Sequence, residues 1–437
     1  MNIGKAISFN PSESIQKGSI SKKIPMASLT EFQRNINSYE LSSYSSGPKF
    51  RNGDTLLSKI TPCLENGKTA YVDILEDDEV AFGSSEFIVL RETEYTDSEY
   101  VYYLAISPTF RKRAISCMEG TSGRKRVNEN TLKYFELPFP DKFVQKQIAK
   151  ILSDLDAKIA INNTINQELE ALAKTIYDYW FVQFDFPCPE GLEGQTHLAG
   201  KPYKSSGGKM VYNEELKREI PEGWECKRFN ELVYQVNDSI EPHEYPELNY
   251  LPIDKLPTQK LYYADYESRN EANSSLIKFL EDDILLGAMR VYFHRVCNAI
   301  EDGISRSTMM VLRPLKKMNK NFGLFALNRD EAIAYATKNS TGTSIPYAKW
   351  SGNLENYKCC LPDDEKLLIK FNEIVNPILE SFKIYSKENQ KLAALRDWLL
   401  PMLMNGQVTV GKTYKESGET MGLAAEGGDI YKKSNNG

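Results

Sequence analysis

The amino-acid sequence predicts an α+β protein in which two repeated α/β domains are separated by two long helices. These helices are expected to form an antiparallel coiled coil with pseudo-two-fold symmetry. One observation behind this prediction is an internal repeat whose matched segments stay near 223 residues apart. The other is a long stripe of apolar residues at helical spacing that follows each copy. A duplicated chain of this kind usually meets a partner that is itself two-fold or bipartite.

The repeat is carried by short segments that return in the same order in both halves. GDTLL at residues 53–57 starts an apolar run, as DDILL does at residues 282–286. Further matches are residues 85–91 with 307–313, 120–122 with 342–344, 137–138 with 361–362, and 166–169 with 389–392. We therefore interpret the chain as a tandem duplication.

Residues 1–141 form the first predicted domain and residues 223–362 the second, each with both helices and strands. In the first domain, residues 70–74 and 87–90 are rich in β-branched and aromatic residues, which predicts strands. Residues 100–118 predict a helix that is interrupted at Pro108.

The two long helices are predicted over residues 142–181 and 363–406, and Pro377 predicts a kink or a split in the second. Asparagines interrupt the apolar stripe, and a buried Asn can fix the register of a coiled coil. A helix that packs only on its own domain is the alternative. The residues expected to pack between the helices are Leu152, Leu155, Ile159, Asn166, Leu169, Ile378, Phe382, Asn389, Leu392 and Leu399.

Two segments lack the periodicity of the rest. Residues 182–222 are rich in Gly, Pro, Lys and Ser, which predicts an extended linker between the copies. Residues 407–437 are polar and Gly-rich, which predicts a disordered tail.

Composition excludes several classes of protein. No apolar stretch approaches the roughly 20 residues that span a bilayer, and the N-terminus does not resemble a secretory signal. The seven cysteines are scattered without a C-x-x-C pair, and the three histidines lie far apart. This pattern is typical of a reducing cytoplasm and argues against a metal site. We expect a cytoplasmic protein with no membrane partner.

The sequence also lacks a convincing catalytic motif. Residues 65–69 end in Gly-Lys-Thr, but Pro62 stands where a phosphate-binding loop needs its first glycine. Asp54 with Lys59 could imitate a nuclease core, yet the second half has no lysine to match Lys59. We expect a chain without catalytic residues, metal or cofactor of its own. A nuclease or nucleotide hydrolase remains a distant alternative.

Charge is unevenly distributed along the chain. A net charge of −6 argues mildly against nucleic acid. However, the basic triplets 111–113 and 124–126 flank the Gly-Thr-Ser turn at residues 120–122 and can focus positive potential there. Ordinary solvated surface is the alternative interpretation of both triplets.

Several segments together resemble one known family, the DNA specificity (S) subunits of type I restriction–modification systems. The resemblance covers residues 3 to about 410. Its motifs occur in the same order as in the family, and the set of motifs occurs twice. The segments that carry it are residues 50–57, 60–69, 120–127, 147–166, 179–184 and 202–210.

This resemblance implies a function in phage defence through DNA methylation and cleavage. Each domain would be a target-recognition domain that binds one half of a split site in double-stranded DNA. The two helices would dock two methyltransferase subunits, which hold S-adenosylmethionine. Motor/nuclease subunits, which use ATP and Mg, would join that core, so catalysis would lie outside this chain.

The two halves differ where DNA contacts are expected. Matching the Gly-Thr-Ser turns directly pairs residues 123–126 (GRKR) with residues 345–348 (IPYA), so the second half lacks the basic triplet. In addition, IPEGW at residues 220–224 has no counterpart ahead of Ile3. An S-like scaffold or decoy without productive DNA recognition therefore remains the alternative function.

Residues that differ between the halves are the candidates for contacting DNA, because shared residues serve the shared fold. Arg and Lys suit guanine edges and phosphates, and Ser and Thr suit either. The first-half candidates are Lys59, Thr61, Lys68, Ser84, Ser85, Arg111, Lys112, Arg124, Lys125 and Arg126. The second-half candidates are Arg290, Tyr292, His294, Arg295, Arg306, Ser307, Ser344, Tyr347 and Lys349.

Overall fold

A computed structural model describes residues 1–121, 123–188, 199–273, 275–342, 345–362 and 365–410 of the chain. The chain divides into two compact units. Unit 1 comprises Met1–Ile159 together with the chain from Leu392, and unit 2 comprises Ala160–Lys391.

Unit 1 contains two four-stranded sheets and a short hairpin. Its short helices are Ile3–Ala6 (α1), Ser98–Ile106 (α2), Pro108–Ser116 (α3) and Glu129–Lys133 (α4). Its strands are Ser8–Phe9 (β1), Ile20–Ile24 (β2), Glu40–Ser43 (β3), Lys49–Phe50 (β4), Thr55–Ser58 (β5), Thr69–Tyr71 (β6), Ala81–Gly83 (β7), Phe87–Arg91 (β8), Met118–Glu119 (β9) and Arg126–Val127 (β10). The sheets have the orders β1-β8-β5-β6 and β3-β2-β7-β4, and β9 pairs with β10.

Local sequence explains the helix break at Pro108. The Ser107 hydroxyl accepts a hydrogen bond from the Phe110 N–H at 3.3 Å, and Pro108 occupies the first turn of α3, where its missing N–H costs nothing. The predicted interruption is therefore confirmed. The strand predicted at residues 87–90 is confirmed as β8, whereas the one predicted at 70–74 is limited to Thr69–Tyr71.

Unit 2 repeats the two-sheet arrangement. Its helices are Asn319–Leu327 (α6) and Asp330–Lys338 (α7). Its strands are Met210–Asn213 (β11), Arg218–Pro221 (β12), Trp224–Arg228 (β13), Val233–Val236 (β14), Ser239–Ile240 (β15), Asn249–Tyr250 (β16), Leu276–Phe279 (β17), Ile284–Gly287 (β18), Val296–Asn298 (β19), Gly303–Arg306 (β20), Met309–Pro314 (β21) and Lys358–Pro362 (β22).

The sheets of the two units correspond in every strand but one. The order β14-β21-β18-β19 in unit 2 matches β1-β8-β5-β6 in unit 1. In the second sheet, β20 has one parallel neighbour (β16) and one antiparallel neighbour (β17), as β7 has β2 and β4. The outer strands differ, because β3 pairs with β2 whereas β15 pairs with β17. The duplication thus extends to topology.

A buried ion pair is duplicated as well. The Arg91 guanidinium donates from Nε and Nη2 to the two carboxylate oxygens of Asp54, both at 2.6 Å. Arg313 makes the same two bonds to Asp283, both at 2.7 Å. Each carboxylate also accepts a backbone N–H three residues earlier in its turn. In unit 1 the pair fixes the turn before β5 to the end of β8, and in unit 2 it fixes the turn before β18 to the end of β21. Its charge-assisted bonds raise the pKa of both arginines.

The long helices are Lys142–Tyr177 (α5), followed directly by a wider turn at Asp178–Val182, and Glu365–Met404 (α8). The split predicted at Pro377 is wrong, because α8 continues through it. Val375, Ile378, Leu379 and Phe382 are buried in the core of unit 2. Burial of each such side chain contributes about 1.5–3 kcal/mol, which offsets the roughly 3 kcal/mol that an internal proline costs a helix.

The two helices pair in antiparallel fashion, as predicted. Within unit 2, Asn162 Nδ2 donates to Asn389 Oδ1 at 2.9 Å, and Asn389 Nδ2 donates to Asn163 Oδ1 at 2.9 Å. Further along α5, Tyr177 meets Phe371, so rising numbers on one helix face falling numbers on the other. Within unit 1, Arg396 Nη1 donates to Asp156 Oδ1 at 2.7 Å.

The residues predicted to pack between the helices are either buried or half-buried. The repeat mates Asn166 and Asn389 are both buried, but neither side-chain polar atom of Asn166 has a hydrogen-bond partner among the residues described. Leu152, Ile378 and Phe382 are also buried. The half-buried members are Leu155, Ile159, Leu169, Leu392 and Leu399.

The segment predicted as an extended linker is folded wherever the structure describes it. Phe186 and Tyr203 are buried with stacked rings 4.8 Å apart, and β11 pairs with β12. Its few aromatic residues bury enough apolar surface to order a stretch that is otherwise rich in Gly, Pro and Ser. Residues 411–437 of the predicted tail lie outside the described part, while Val408 and Val410 pack against the core of unit 1. No described helix is both long and apolar enough to cross a membrane.

Candidate nucleic-acid interface

Backbone hydrogen bonds bring three segments of unit 1 together at one surface. The β5–β6 loop, residues 59–68, is the centre of this arrangement. Its Thr61 N–H donates to Lys125 O at 3.1 Å, and its Lys59 O accepts from the Val127 N–H at 2.9 Å. The Lys59 N–H in turn donates to Glu86 O at 2.9 Å. The loop, the turn before β8 and the β9–β10 hairpin therefore form one surface, which we call the first hydrogen-bond frame.

Unit 2 contains the same frame around its β18–β19 loop, residues 288–295. The Arg290 N–H donates to Pro346 O at 2.7 Å, and the Ala348 N–H donates to Ala288 O at 2.9 Å. The Ala288 N–H donates to Thr308 O at 3.1 Å. These bonds form the second hydrogen-bond frame, and each has a counterpart in the first.

The matched bonds correct the alignment of the two halves. Because Lys125 and Pro346 accept equivalent bonds, Arg126 is equivalent to Tyr347 rather than to Ala348. The hairpin connection explains the shift: Glu119 pairs with Arg126, but Thr341 pairs with Tyr347, so the second connection is one residue shorter. Matching the glycines directly, as the sequence suggests, is therefore wrong by one residue beyond the turn.

The two frames carry different side chains at equivalent backbone positions. A shared backbone with variable side chains is the arrangement expected of two surfaces that contact different ligands of one class. The equivalent pairs are Lys59 and Ala288, Thr61 and Arg290, Glu86 and Thr308, Lys125 and Pro346, and Arg126 and Tyr347.

Arg126 is neutralised within the first frame. Its Nε and Nη2 donate to the two carboxylate oxygens of Glu86 at 2.8 and 2.7 Å, and these bonds lower the pKa of Glu86. Arg124 and Lys125 are exposed and make no side-chain hydrogen bond or ion pair with any described residue. The predicted basic triplet thus contains two cations available to a ligand and one that is already paired.

Tyr347 holds the corresponding position in the second frame. Its hydroxyl donates to Ser307 O at 2.9 Å, and burial raises the pKa of the phenol. A neutral hydrogen bond therefore replaces the Arg126–Glu86 ion pair. Arg290 is exposed next to it and makes no side-chain hydrogen bond within the described part of the chain.

Four predicted contact residues hold the loops instead of facing solvent freely. Lys68 Nζ donates to Met26 O at 3.4 Å, and Arg295 Nη1 makes the equivalent bond to Ile253 O at 2.8 Å. Arg111 Nη2 donates to Glu65 O at 2.8 Å. The buried His294 donates from Nε2 to Asn328 O at 2.8 Å, with Nδ1 3.2 Å from Asp330 Oδ1.

The remaining candidates differ in whether a side-chain contact already holds them. Arg306 donates to the Tyr250 hydroxyl at 2.9 Å, the Ser84 hydroxyl accepts the Glu86 N–H at 3.2 Å, and the Thr61 hydroxyl faces Met118 Sδ at 3.6 Å. Ser344 lies outside the described residues. Within the described part of the chain, the exposed candidates that make no side-chain hydrogen bond or ion pair are Ser85, Lys112, Tyr292, Ser307 and Lys349.

Sequence reasoning missed three residues of this surface. Glu86 lies within a repeated segment, but its pairing with Arg126 depends on contact between residues 40 positions apart. Phe32 and Phe293 are half-exposed at the two loops. Phe32 has a positive φ angle, and Phe293 precedes His294, which also has one. Only these backbone angles and the ring contacts distinguish the two residues from ordinary aromatic residues. Among the residues described, no group of His, Cys, Asp and Glu could hold a metal ion.

Comparison with known proteins assigns the chain to a family. The model of the type I restriction modification DNA specificity domain matches residues 2–171. The MjaIX specificity subunit of a type I restriction enzyme from Methanocaldococcus jannaschii is 28% identical over 331 residues, which cover 72% of this chain and 69% of that protein. Another protein of that archaeon carries the name of the type I restriction enzyme MjaX specificity subunit and is 32% identical over 368 residues. These residues cover 82% of this chain and 79% of that protein.

This chain belongs to the family of type I restriction–modification specificity subunits. The crystal structure of the S subunit from M. genitalium shares its fold with a TM-score of 0.54 at 16% identity, over 92% of this chain and 95% of that one. Specificity subunits are the non-catalytic members of their complexes, and catalysis lies in other subunits.

Proposed function

We propose that this specificity subunit recognises a bipartite site in double-stranded DNA within the cytoplasm. The first half of the site would meet the first hydrogen-bond frame, and the second half would meet the second. The observation that carries this proposal is the exact repetition of the backbone bonds at Thr61 and Arg290 beneath non-identical side chains. A common backbone suits the common geometry of duplex DNA, while different side chains suit different base edges.

The exposed residues of each frame are the proposed contacts. In the first half, Arg124 and Lys125 would meet phosphates or guanine edges, and in the second, Arg290 and Lys349 would do so. Lys68, Arg111, His294 and Arg295 would act indirectly by holding the loops in place. The further proposed contacts are Lys59, Thr61, Ser84, Ser85, Lys112, Arg126, Tyr292, Arg306, Ser307, Ser344 and Tyr347.

We further propose that the long helices dock two methyltransferase subunits. Ile161 on α5 and Ile384 on α8 are repeat mates 223 residues apart, and each is 55% exposed. Leu172 and Leu395 are also exposed repeat mates, each 11 residues further along its helix. Eleven residues are about three helical turns, so each pair projects from one side of its helix. Two matching apolar stripes suit two copies of one partner.

The functions of the complex would then be divided among subunits. The methyltransferases would hold S-adenosylmethionine, and the motor/nuclease subunits would use ATP and Mg. Co-expression of this chain with its methyltransferase, followed by methylome sequencing, tests the proposal. We expect one methylated motif with two specific parts and a spacer of fixed length. Arg290→Ala should relax only one part of that motif, and Arg124→Ala with Lys125→Ala only the other.

Docking has its own test. Ile161→Lys and Ile384→Lys should each reduce the number of bound methyltransferase copies from two to one in native mass spectrometry, and the double variant should bind none. Ile20→Lys, at an exposed isoleucine of β2, is the matched control. Two bound copies in the double variant would contradict this docking surface.

The alternative is a scaffold or decoy that binds the methyltransferase without recognising DNA. The exposed Arg290, Tyr292 and Lys349 support productive recognition, because the second frame keeps cations and an aromatic ring at its surface. Methyltransferase binding with no methylated motif would instead support the scaffold.

A further inference from the structure

Phe32 occupies an unfavourable position at the first frame. Its backbone is left-handed, with φ 56°, and its side chain is 50% exposed. The Phe32 N–H donates to Gly67 O at 3.2 Å, and the ring lies over Gly67, where an added Cβ would be 2.6 Å from a ring carbon. A left-handed bulky residue is strained, and an exposed ring forfeits the stabilisation of burial. Such positions concentrate at functional sites.

An arginine is packed on this ring. The Arg111 guanidinium carbon lies 4.7 Å from the Phe32 ring centroid, within the range of a cation–π contact. Arg111 is pinned to the 59–68 loop by its bonds to Leu64 O and Glu65 O. The loop and the arginine therefore fix the ring in one position before any ligand arrives.

The second frame presents the same combination. Phe293 is 39% exposed, and the Arg295 guanidinium carbon lies 5.3 Å from its ring centroid. The ring of Tyr292 is 4.9 Å away. The two aromatic residues stand between Arg290 and His294, whose backbones are left-handed with φ 52° and 51°. Strain at both ends of the turn thus holds two exposed rings at the surface.

The two aromatic positions are not copies of one another. Phe32 comes from the chain between β2 and β3, whereas Phe293 belongs to the β18–β19 loop itself. Both nevertheless lie beside the equivalent residues Lys68 and Arg295, at the exit of the loop. In each half a ring packs against a guanidinium, but the residues that form this contact are not equivalent in the repeat. Duplication alone therefore does not explain why the contact occurs twice. A shared function at this place in each half does.

We propose that Phe32 and the Tyr292–Phe293 pair are nucleobase-stacking platforms, one for each half-site. Each would stack on, or wedge against, a base at a deformed step of duplex DNA, while Arg111 and Arg295 act as positioning residues. Aromatic side chains stack on bases of any sequence, and apolar wedges unstack flexible steps. This inference rests on the proposed function, to which it adds a mode of contact.

Local charge favours a base over a phosphate as the contact of Phe32. Glu65 is exposed on the same loop, and Glu31, which accepts a hydrogen bond from Asn66 at 3.0 Å, precedes Phe32 in the chain. Carboxylates at this point oppose a phosphate. The exposed Arg290 in the second frame allows both kinds of contact. The first platform should therefore depend less on salt than the second.

Fluorescence of 2-aminopurine tests the proposal in the complex with the methyltransferase. The motif is first obtained by methylome sequencing, and duplexes then carry 2-aminopurine at each position of each half-site in turn. We expect binding to raise the emission at one position per half-site. Phe32→Leu should abolish the rise in the first half-site only, and Tyr292→Leu with Phe293→Leu in the second only. Each change should weaken binding by about 5- to 150-fold, as loss of one stacked base does.

Matched controls separate stacking from general damage. Tyr39→Leu and Tyr245→Leu remove exposed rings that lie 5.0 Å from the Lys22 ammonium and 4.0 Å from the Lys278 ammonium and contact neither Arg111 nor Arg295, and both variants should bind as wild type. Phe32→Trp keeps a stacking ring and should restore the signal if Phe32→Leu folds poorly. Wild-type emission and affinity in both leucine variants would overturn the platforms while leaving DNA recognition intact. Absence of any motif in the wild-type complex would overturn the proposed function and the platforms together.

Discussion

The two halves of this specificity subunit use one backbone arrangement to display different chemistry. Thr61 and Arg290 donate equivalent backbone bonds, yet one presents a small hydroxyl and the other a long cation. Arg126 is held by the Glu86 carboxylate, whereas Tyr347 is held by a backbone carbonyl. The comparison separates residues that build the surface from residues that are free to differ. The first kind includes the Asp54–Arg91 and Asp283–Arg313 pairs, and the second kind includes the side chains on the loops.

The largest expected effect comes from breaking the duplicated ion pair. Asp283→Ala leaves the partly buried guanidinium of Arg313 without its bidentate carboxylate, which should cost about 3–5 kcal/mol of local stability. Asp54→Ala should cost less, because Arg91 keeps its ion pair with Glu13 at 2.6 Å. Hydrogen exchange should show lost protection in β18 for the first variant and in β5 for the second. The exposed Asp77 and Asp265 serve as controls. Loss of protection in both halves from one substitution would show that the halves are not independent.

The repeat mates Asn166 and Asn389 should respond in opposite directions. Asn389→Leu removes the partner of Asn163 and one of the two partners of Asn162, and should lower the free energy of unfolding by about 1–3 kcal/mol. Asn166→Leu removes two buried polar atoms that have no partner among the described residues, and should raise it by about 1 kcal/mol. Thermal unfolding measures both. A loss of stability in Asn166→Leu would show that a buried water already satisfies Asn166.

Salt dependence should distinguish the cations of the two frames. Replacing Arg124 and Lys125 with alanine should reduce the slope of log K against log salt by about 1.8, and Arg290→Ala by about 0.9. Arg126→Ala should change the slope less than either single cation, because Glu86 already neutralises Arg126. Glu86→Gln is the matched test, since it frees Arg126 and should steepen the slope. Fluorescence anisotropy between 50 and 200 mM salt, roughly the range over which such slopes are measured, records these changes. Equal effects of all four variants would remove the distinction between free and paired cations.

The most local expected effect, confined to one loop in each half, concerns the equivalent loop tethers Lys68 and Arg295. Arg295→Lys should keep its loop closed, because Lys68 already makes the corresponding bond in the first half. Arg295→Ala and Lys68→Ala should each cost about 1.5 kcal/mol of local stability, the lower end of the range for a hydrogen bond from a charged donor. Hydrogen exchange of the loop amides is the measurement. Faster exchange in Arg295→Lys than in Arg295→Ala would contradict the equivalence.

Much of the fold could be predicted because it depends on local patterns. The long helices follow from apolar residues at helical spacing, and the break at Pro108 follows from the chemistry of proline. The continuity of α8 through Pro377 could not be predicted, because it depends on burial of Ile378 and Phe382 in the core of unit 2. The folded segment around Phe186 and Tyr203 could not be predicted for a similar reason, since composition does not show which aromatic residues pack together.

The sequence indicated which segments carry the basic residues of the candidate site, but it did not indicate the partners of their side chains. The basic residues 124–126 pointed to the first frame, but only the structure shows that Arg126 is paired while Arg124 and Lys125 are exposed. Likewise, His294 and Arg295 lie in the β18–β19 loop, and only the structure shows that their side chains hold it in place. Whether a cation faces solvent or a carbonyl depends on residues distant in sequence.

By itself the sequence determined that the chain is duplicated, that two long helices follow the two copies, and to which family it belongs. These features repeat along the chain and survive without three-dimensional information. Tertiary structure alone decided that Arg126 corresponds to Tyr347 and that Phe32 and Phe293 stand at equivalent loop exits. It also decided that, among the residues described, Asn389 has hydrogen-bond partners while Asn166 has none. The physical reason is that hydrogen bonds and ring contacts join atoms that folding brings together. The residues that carry those atoms have no regular spacing along the sequence.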